Sequence, residues 1–118
     1  MDFQAIPVIR IFDEDKAKDF YLGFLGMTLD WEHRFGPDFP LYMQVSREGL
    51  VLHLSEHSGD GCPGTKLLVN MDALDALFAE VSATAYRYSR PSIETAPWGN
   101  RVFEVTDPFS NRILFNER

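Results

Sequence analysis

The feature that most constrains this chain is a pattern that occurs twice: one strand, one amphipathic helix, then three strands. In the first copy, Ala5 to Phe12 (A-I-P-V-I-R-I-F) is rich in the β-branched and aromatic residues that suit a half-buried pleated surface. Pro7 has no N–H to give to a ladder, which makes this an edge strand or one exchanged between units. Asp13 follows as an N-cap, with Glu14 and Asp15 in the first turn, where they complement the helix dipole. Ala17, Phe20, Tyr21, Phe24 and Leu25 recur at helical spacing, and Gly26 supplies the stop. Three strands come next: Thr28 to Phe35, Leu41 to Arg47, and Leu50 to Ser55. Glu48-Gly49 forms a hairpin turn between the last two. Alternation puts Leu29, Trp31, His33 and Phe35 on one face of the first of the three.

After a linker from His57 to Gly64 the pattern recurs. Thr65 to Asn70 is a strand, and Asp72 caps a helix with Leu74, Leu77, Phe78 and Val81 on one face. Tyr86 to Arg90 is a strand, followed by Arg101 to Val105, a tight D-P-F-S-N turn, and Arg112 to Phe115. Repetition at this period is a strong architectural signal. The expected fold class is α+β in a single domain, residues 1–118, with modules at about 5–56 and 65–117. The two βαβββ modules are expected to form a curved mixed sheet around a cleft, with the helices outside.

Composition narrows the function. A net charge of −7 over 118 residues argues against nucleic acid, which needs clustered Lys and Arg, and mildly favours a cationic ligand. The single cysteine, Cys62, excludes an internal disulfide framework and suits a reducing compartment. No apolar run reaches the length of a membrane span, and the start lacks the regions of a signal peptide. The expectation is a cytoplasmic protein with no membrane partner.

Two motifs fail on context. Gly59 to Lys66 (G-D-G-C-P-G-T-K) has phosphate-loop spacing, but Thr precedes Lys and a strand follows. His53-Leu54-Ser55-Glu56-His57 matches H-x-x-E-H, which works only on a helix. Here L-V-L-H-L alternates as a strand, which holds the two imidazoles too far apart for one zinc. By contrast, Trp98 sits between Pro97 and Gly99 at the mouth of a hairpin, a position that suits lining a ligand cleft.

The doubled pattern, with R-I-F-D-E-D-K-A-K-D-F-Y-L-G-F-L-G early and T-D-P-F-S-N-R-I-L-F at the end, resembles the vicinal-oxygen-chelate superfamily. That group includes glyoxalase I, extradiol dioxygenases and the bleomycin-resistance proteins. In its metalloenzymes, four inward positions on the first and last strands of each module hold a metal. By the resemblance these fall at Ile6, His53, Thr65 and Leu114, of which only His53 is a good ligand. The metal site is therefore expected to be dismantled. A register difference of one residue brings in Glu56 or Glu104.

Among members without a metal, the bleomycin-resistance proteins match best, in P-V-I after Ile6, in D-W-E, and in I-E-x-x-P-W-G. The resemblance implies a homodimer that sequesters a small aromatic or cationic ligand, a bleomycin-type antibiotic being one candidate, with no cofactor. It assigns ligand contact to Trp31, Phe35 and Trp98, with His53 at the cleft floor. Asp30, Glu32, Glu56 and Glu104 are acidic groups that raise affinity for a cation. The alternatives are a metal-free enzyme with His53 as general base, or a metal-dependent one through His53 and a nearby Glu.

Overall fold

The structure is a computed structural model and describes residues 1–84, 86 and 89–118. The chain divides into two compact units, Met1–Pro63 and Gly64–Arg118, with the boundary at the end of the Gly-rich linker. Each unit is a βαβββ module with a four-stranded mixed sheet, as the doubled pattern requires. The first holds β1 (Val8–Arg10), α1 (Glu14–Lys18), β2 (Thr28–His33), β3 (Tyr42–Arg47) and β4 (Leu50–Ser55), ordered β1-β4-β3-β2. The second holds β5 (Lys66–Met71), α2 (Leu74–Ala83), β6 (Glu94–Thr95), β7 (Arg101–Thr106) and β8 (Arg112–Glu117), ordered β5-β8-β7-β6. In both, the first strand runs parallel to the last and the remaining pairs are antiparallel.

Local chemistry explains most boundaries. β1 is shorter than the apolar run because Pro7 cannot donate, yet its carbonyl still accepts from the His53 N–H at 3.0 Å. Asp13 caps α1 as expected, its carboxylate accepting from the Lys16 N–H at 2.8 Å. Beyond Lys18 the helix widens into a π-helical stretch, Asp19–Phe24, closed by Leu25 N–H to Phe20 C=O at 2.9 Å. Phe20, Tyr21, Phe24 and Leu25 are all buried there. Such side chains contribute about 1.5–3 kcal/mol each when fully buried. Gly26 ends the element at φ +67°, in the left-handed region. Between β3 and β4, Glu48 and Gly49 both have positive φ (45° and 91°), the two-residue turn whose twist matches a hairpin.

The second unit departs from expectation in two places. Asp72 does not cap α2: the N-cap position is Ala73, at φ 54° with no side-chain cap bond, and Asp72 instead faces Arg118 at 3.3 Å. The strand paired with β7 is Glu94–Thr95, and in the strand expected at Tyr86 to Arg90 the described residues Tyr86, Ser89 and Arg90 are not in a strand. Of that expected strand, Arg87 and Tyr88 lie outside the described residues. The D-P-F-S-N turn holds as expected. Buried Asp107 accepts through Oδ1 from the Phe109 and Asn111 N–H groups, both at 2.8 Å, and its Oδ2 accepts from Asn111 Nδ2 at 2.9 Å. Behind β7, Arg101 bridges Asp75 of α2 (2.7 Å) and Glu117 of β8 (2.9 Å). Phe78 of α2 packs edge-on against Phe103 at 5.5 Å.

Candidate functional site

The first unit's sheet has two unlike faces. One carries Ile9, Met43, Val45, Leu52 and Leu54, all buried. The other carries Tyr42, Gln44, Ser46, Val51 and His53, because β3 and β4 pair as Gln44 with His53 and Tyr42 with Ser55. Trp31 joins this second face through a β-bulge. Leu29 lies opposite Val45, whereas Trp31 lies opposite Gln44, so Asp30 is the extra residue. Leu29 therefore leaves the face that simple alternation assigned to it together with Trp31 and His33. That expectation fails because the bulge inserts one residue into a period of two.

Around the bulge the side chains form an aromatic surface. The Trp31 and Tyr42 rings are near-parallel (11°) with centroids 6.0 Å apart. His53 stands edge-on to both, at 5.3 Å and 5.2 Å. Phe35 lies just past β2, 74% exposed, edge-on to His33 at 4.8 Å and to His57 at 6.3 Å. After Ser55 the chain bends, so His57 also returns to Tyr42, at 6.3 Å between centroids. The strand reading of H-x-x-E-H holds for His53, Leu54 and Ser55, whereas Glu56 and His57 lie past the end of β4. Trp31 itself is 44% exposed.

Polar groups on the same face are linked. The Tyr42 hydroxyl meets His53 Nδ1 at 2.7 Å, His53 Nε2 meets Gln44 Oε1 at 3.0 Å, and Gln44 Nε2 donates to Asp30 Oδ2 at 3.0 Å. Hydrogen bonds from Gln44 and Ser46 hold the Asp30 carboxyl below its ordinary range, so it is ionised at neutral pH. Burial, and secondarily the Asp60 carboxylate, push the Tyr42 phenol up, so it keeps its proton. Both ring nitrogens of His53 are engaged. A metal or a substrate proton reaches this imidazole only by displacing Tyr42 or Gln44.

Three of the four acidic groups expected to favour a cation are already neutralised. Glu32 pairs with Lys18 at 3.0 Å, Glu104 with Lys66 at 3.5 Å, and Glu56 accepts from the Leu41 N–H at 2.9 Å beside Arg34 at 3.7 Å. Asp30 alone has no Lys or Arg partner among the described residues. Its charge lies beside the exposed Trp31.

In the second unit, Trp98 occupies the turn between β6 and β7, where the Gly99 N–H bonds to the Ala96 carbonyl at 2.8 Å. Its indole N–H donates to Asn116 Oδ1 at 2.8 Å, and Asn116 Nδ2 donates to Asn70 Oδ1 at 2.9 Å. The ring is thus pinned at one edge while remaining 54% exposed. A fixed, half-open indole suits stacking without a large ordering cost.

The residues at the family's metal positions do not fit a metal. Leu114 is buried with Ala96 and Val102, Ile6 is aliphatic, the Thr65 N–H bonds to Asn111 Oδ1 at 3.2 Å, and His53 is engaged as above. Among the described residues no group of three or more His, Cys, Asp or Glu side chains is placed to hold an ion.

Tyr42, Gln44 and His57 belong to this face, yet sequence reasoning missed them. A signal for two of them existed. The two-residue turn fixes Arg47 opposite Leu50, and counting back from it puts Gln44 opposite His53 and Tyr42 on the same side. No such count reveals the bulge at Asp30.

Solved structures of similar shape cover almost the whole chain. A bleomycin-binding protein complexed with bleomycin superposes with a TM-score of 0.76 at 21% identity, over 99% of both chains. A bleomycin resistance determinant encoded on transposon Tn5 gives 0.75 at 18%, over 99% of this chain and 98% of that one. The bleomycin-binding protein of Streptomyces verticillus, complexed with copper(II)-bleomycin, gives 0.73 at 25%, over 100% and 98%. No curated protein matches the sequence. The family model for glyoxalase superfamily proteins matches residues 1–118, and the chain belongs to that superfamily.

Proposed function

We propose that this protein is a non-enzymatic binding protein, a cytoplasmic homodimer that sequesters a flat, cationic aromatic molecule of the bleomycin type. The observation that carries the reading is the near-parallel pair of exposed Trp31 and half-buried Tyr42 beside the Asp30 carboxylate. Aromatic faces attract planar cations, with cation–π contacts contributing about 0.5–2 kcal/mol. A carboxylate without a Lys or Arg partner adds attraction of the same sign. Phe35 supplies further exposed ring surface in the same unit, and Trp98 offers a separate exposed ring in the second unit. Proteins of similar structure bind bleomycin, which favours that chemical class.

Isothermal titration with metal-free bleomycin tests the proposal. Saturable heat, weakened at least about tenfold in Trp31→Ala, is expected, since losing a stacking platform of roughly 1.4 kcal/mol changes affinity by that factor. No heat and unchanged tryptophan fluorescence contradict binding. A monomer in sedimentation at micromolar concentration contradicts the dimer.

A further inference from the structure

We infer that Asp30 fixes the direction of every hydrogen bond in the chain running to Tyr42, and that the Tyr42 phenol oxygen thereby selects ligands bearing N–H donors. The selectivity rests on the binding reading above. The chain of hydrogen bonds does not.

An ionised carboxylate has no proton to give, so Asp30 can only accept from Gln44. That orients the amide and leaves Gln44 Oε1, an acceptor, facing His53. His53 Nε2 must then carry the imidazole proton. A neutral imidazole has only one N–H, so Nδ1 is bare, and across the 2.7 Å contact Tyr42 must donate. Three residues are ordered by one group that cannot donate. Asp30 is in this sense a positioning residue, acting on Tyr42 through two intermediaries.

The consequence falls on the ligand. With its proton committed, the Tyr42 oxygen offers lone pairs only, next to the parallel Trp31 ring. A carbonyl or ether brought there meets lone pair against lone pair. An amide, amino or amidinium N–H forms a hydrogen bond. The surface therefore distinguishes an aromatic cation with N–H groups from its fully N-methylated counterpart, although ring and charge are alike.

Two measurements at about pH 8, where an imidazole is neutral, test this. The first is nitrogen-15 NMR of histidine-labelled protein without ligand. His53 is expected as the Nε2–H tautomer, and Asp30→Asn, whose amide both donates and accepts, should release a measurable Nδ1–H population. A wild-type Nδ1–H tautomer, or no change in Asp30→Asn, overturns the chain. The second compares thionine, which carries amino groups, with its tetramethylated counterpart methylene blue. Tyr42→Phe keeps the ring and should weaken thionine about tenfold while changing methylene blue less than about twofold. Equal losses, or none, overturn the selectivity. If the wild type binds neither dye, the binding reading falls and the selectivity with it, while the tautomer spectrum still decides the chain.

Discussion

The two units share strand order and register but make opposite use of the same sheet face. Val8 lies beside His53 in the first parallel pair, and Leu68 beside Leu114 in the second. By that correspondence Tyr42, Gln44 and His53 match Val102, Glu104 and Leu114. In the first unit the face is half-exposed, aromatic and hydrogen-bonded. In the second, Val102 and Leu114 are buried with Ala96, and the polar side chains include the Lys66–Glu104 pair and the Trp98–Asn116–Asn70 chain. A duplicated backbone fixes where side chains point and leaves their chemistry free. On the proposed function one face meets the ligand, while its counterpart contributes mainly packing and one anchored indole.

The largest expected effect breaks that contrast from the packed side. Leu114→Asp places an unpaired charge among Ala96 and Val102 and should cost about 3–5 kcal/mol in urea denaturation. Asp107→Ala removes the acceptor for two backbone N–H groups and the Asn111 amide. It should cost about 2–4 kcal/mol by the same measurement. His53→Leu, at the position matching Leu114, should cost only about 1 kcal/mol, because Tyr42 and Gln44 are half-exposed and water replaces the lost partner. If His53→Leu proves as costly as Leu114→Asp, the contrast between the faces is wrong.

Smaller effects sharpen the comparison in the turns. Each unit holds a non-glycine residue at positive φ beside a helix or hairpin, Glu48 in the first and Ala73 in the second. Ala73→Gly and Glu48→Asn should each raise stability by about 0.5–1 kcal/mol, read as a higher melting temperature. The smallest concerns acid. Lys18 and Arg34 hold the Glu14 carboxyl below its ordinary 4.5, and Arg101 holds Asp75 below 3.8. Depressed carboxyls contribute stability that is present above those values and lost as pH falls below them. Glu14→Gln and Asp75→Asn should each lower stability slightly at pH 6–8, where the paired carboxylate is ionised, and flatten the decline below about pH 4.5, where wild type and variant converge.

The fold was legible because its signals are local and doubled. Asp13, Gly26, the Glu48-Gly49 turn and the D-P-F-S-N turn each act within a few residues, and all behave as their chemistry dictates. Asp72 misled because a capping residue type one position early is indistinguishable from a cap until φ at Ala73 is known. The π-helical stretch at Asp19–Phe24 escaped because the buried spacing of Phe20, Tyr21, Phe24 and Leu25 also fits an α-helix. At the candidate site, Trp31 and His53 were legible as single residues. Their assembly with Tyr42, Gln44 and Asp30 depends on one inserted residue in β2, which carries no composition signal.

The central claim, that the Trp31–Tyr42–His53 face is where a ligand binds, is tested most directly by amide NMR mapping during titration with metal-free bleomycin. The account predicts saturable shifts at Trp31, Tyr42, Gln44 and His53, with the core-facing Ile9, Val45 and Leu54 nearly still. Saturable shifts that spare those four residues, or no shifts at any bleomycin concentration, would contradict it.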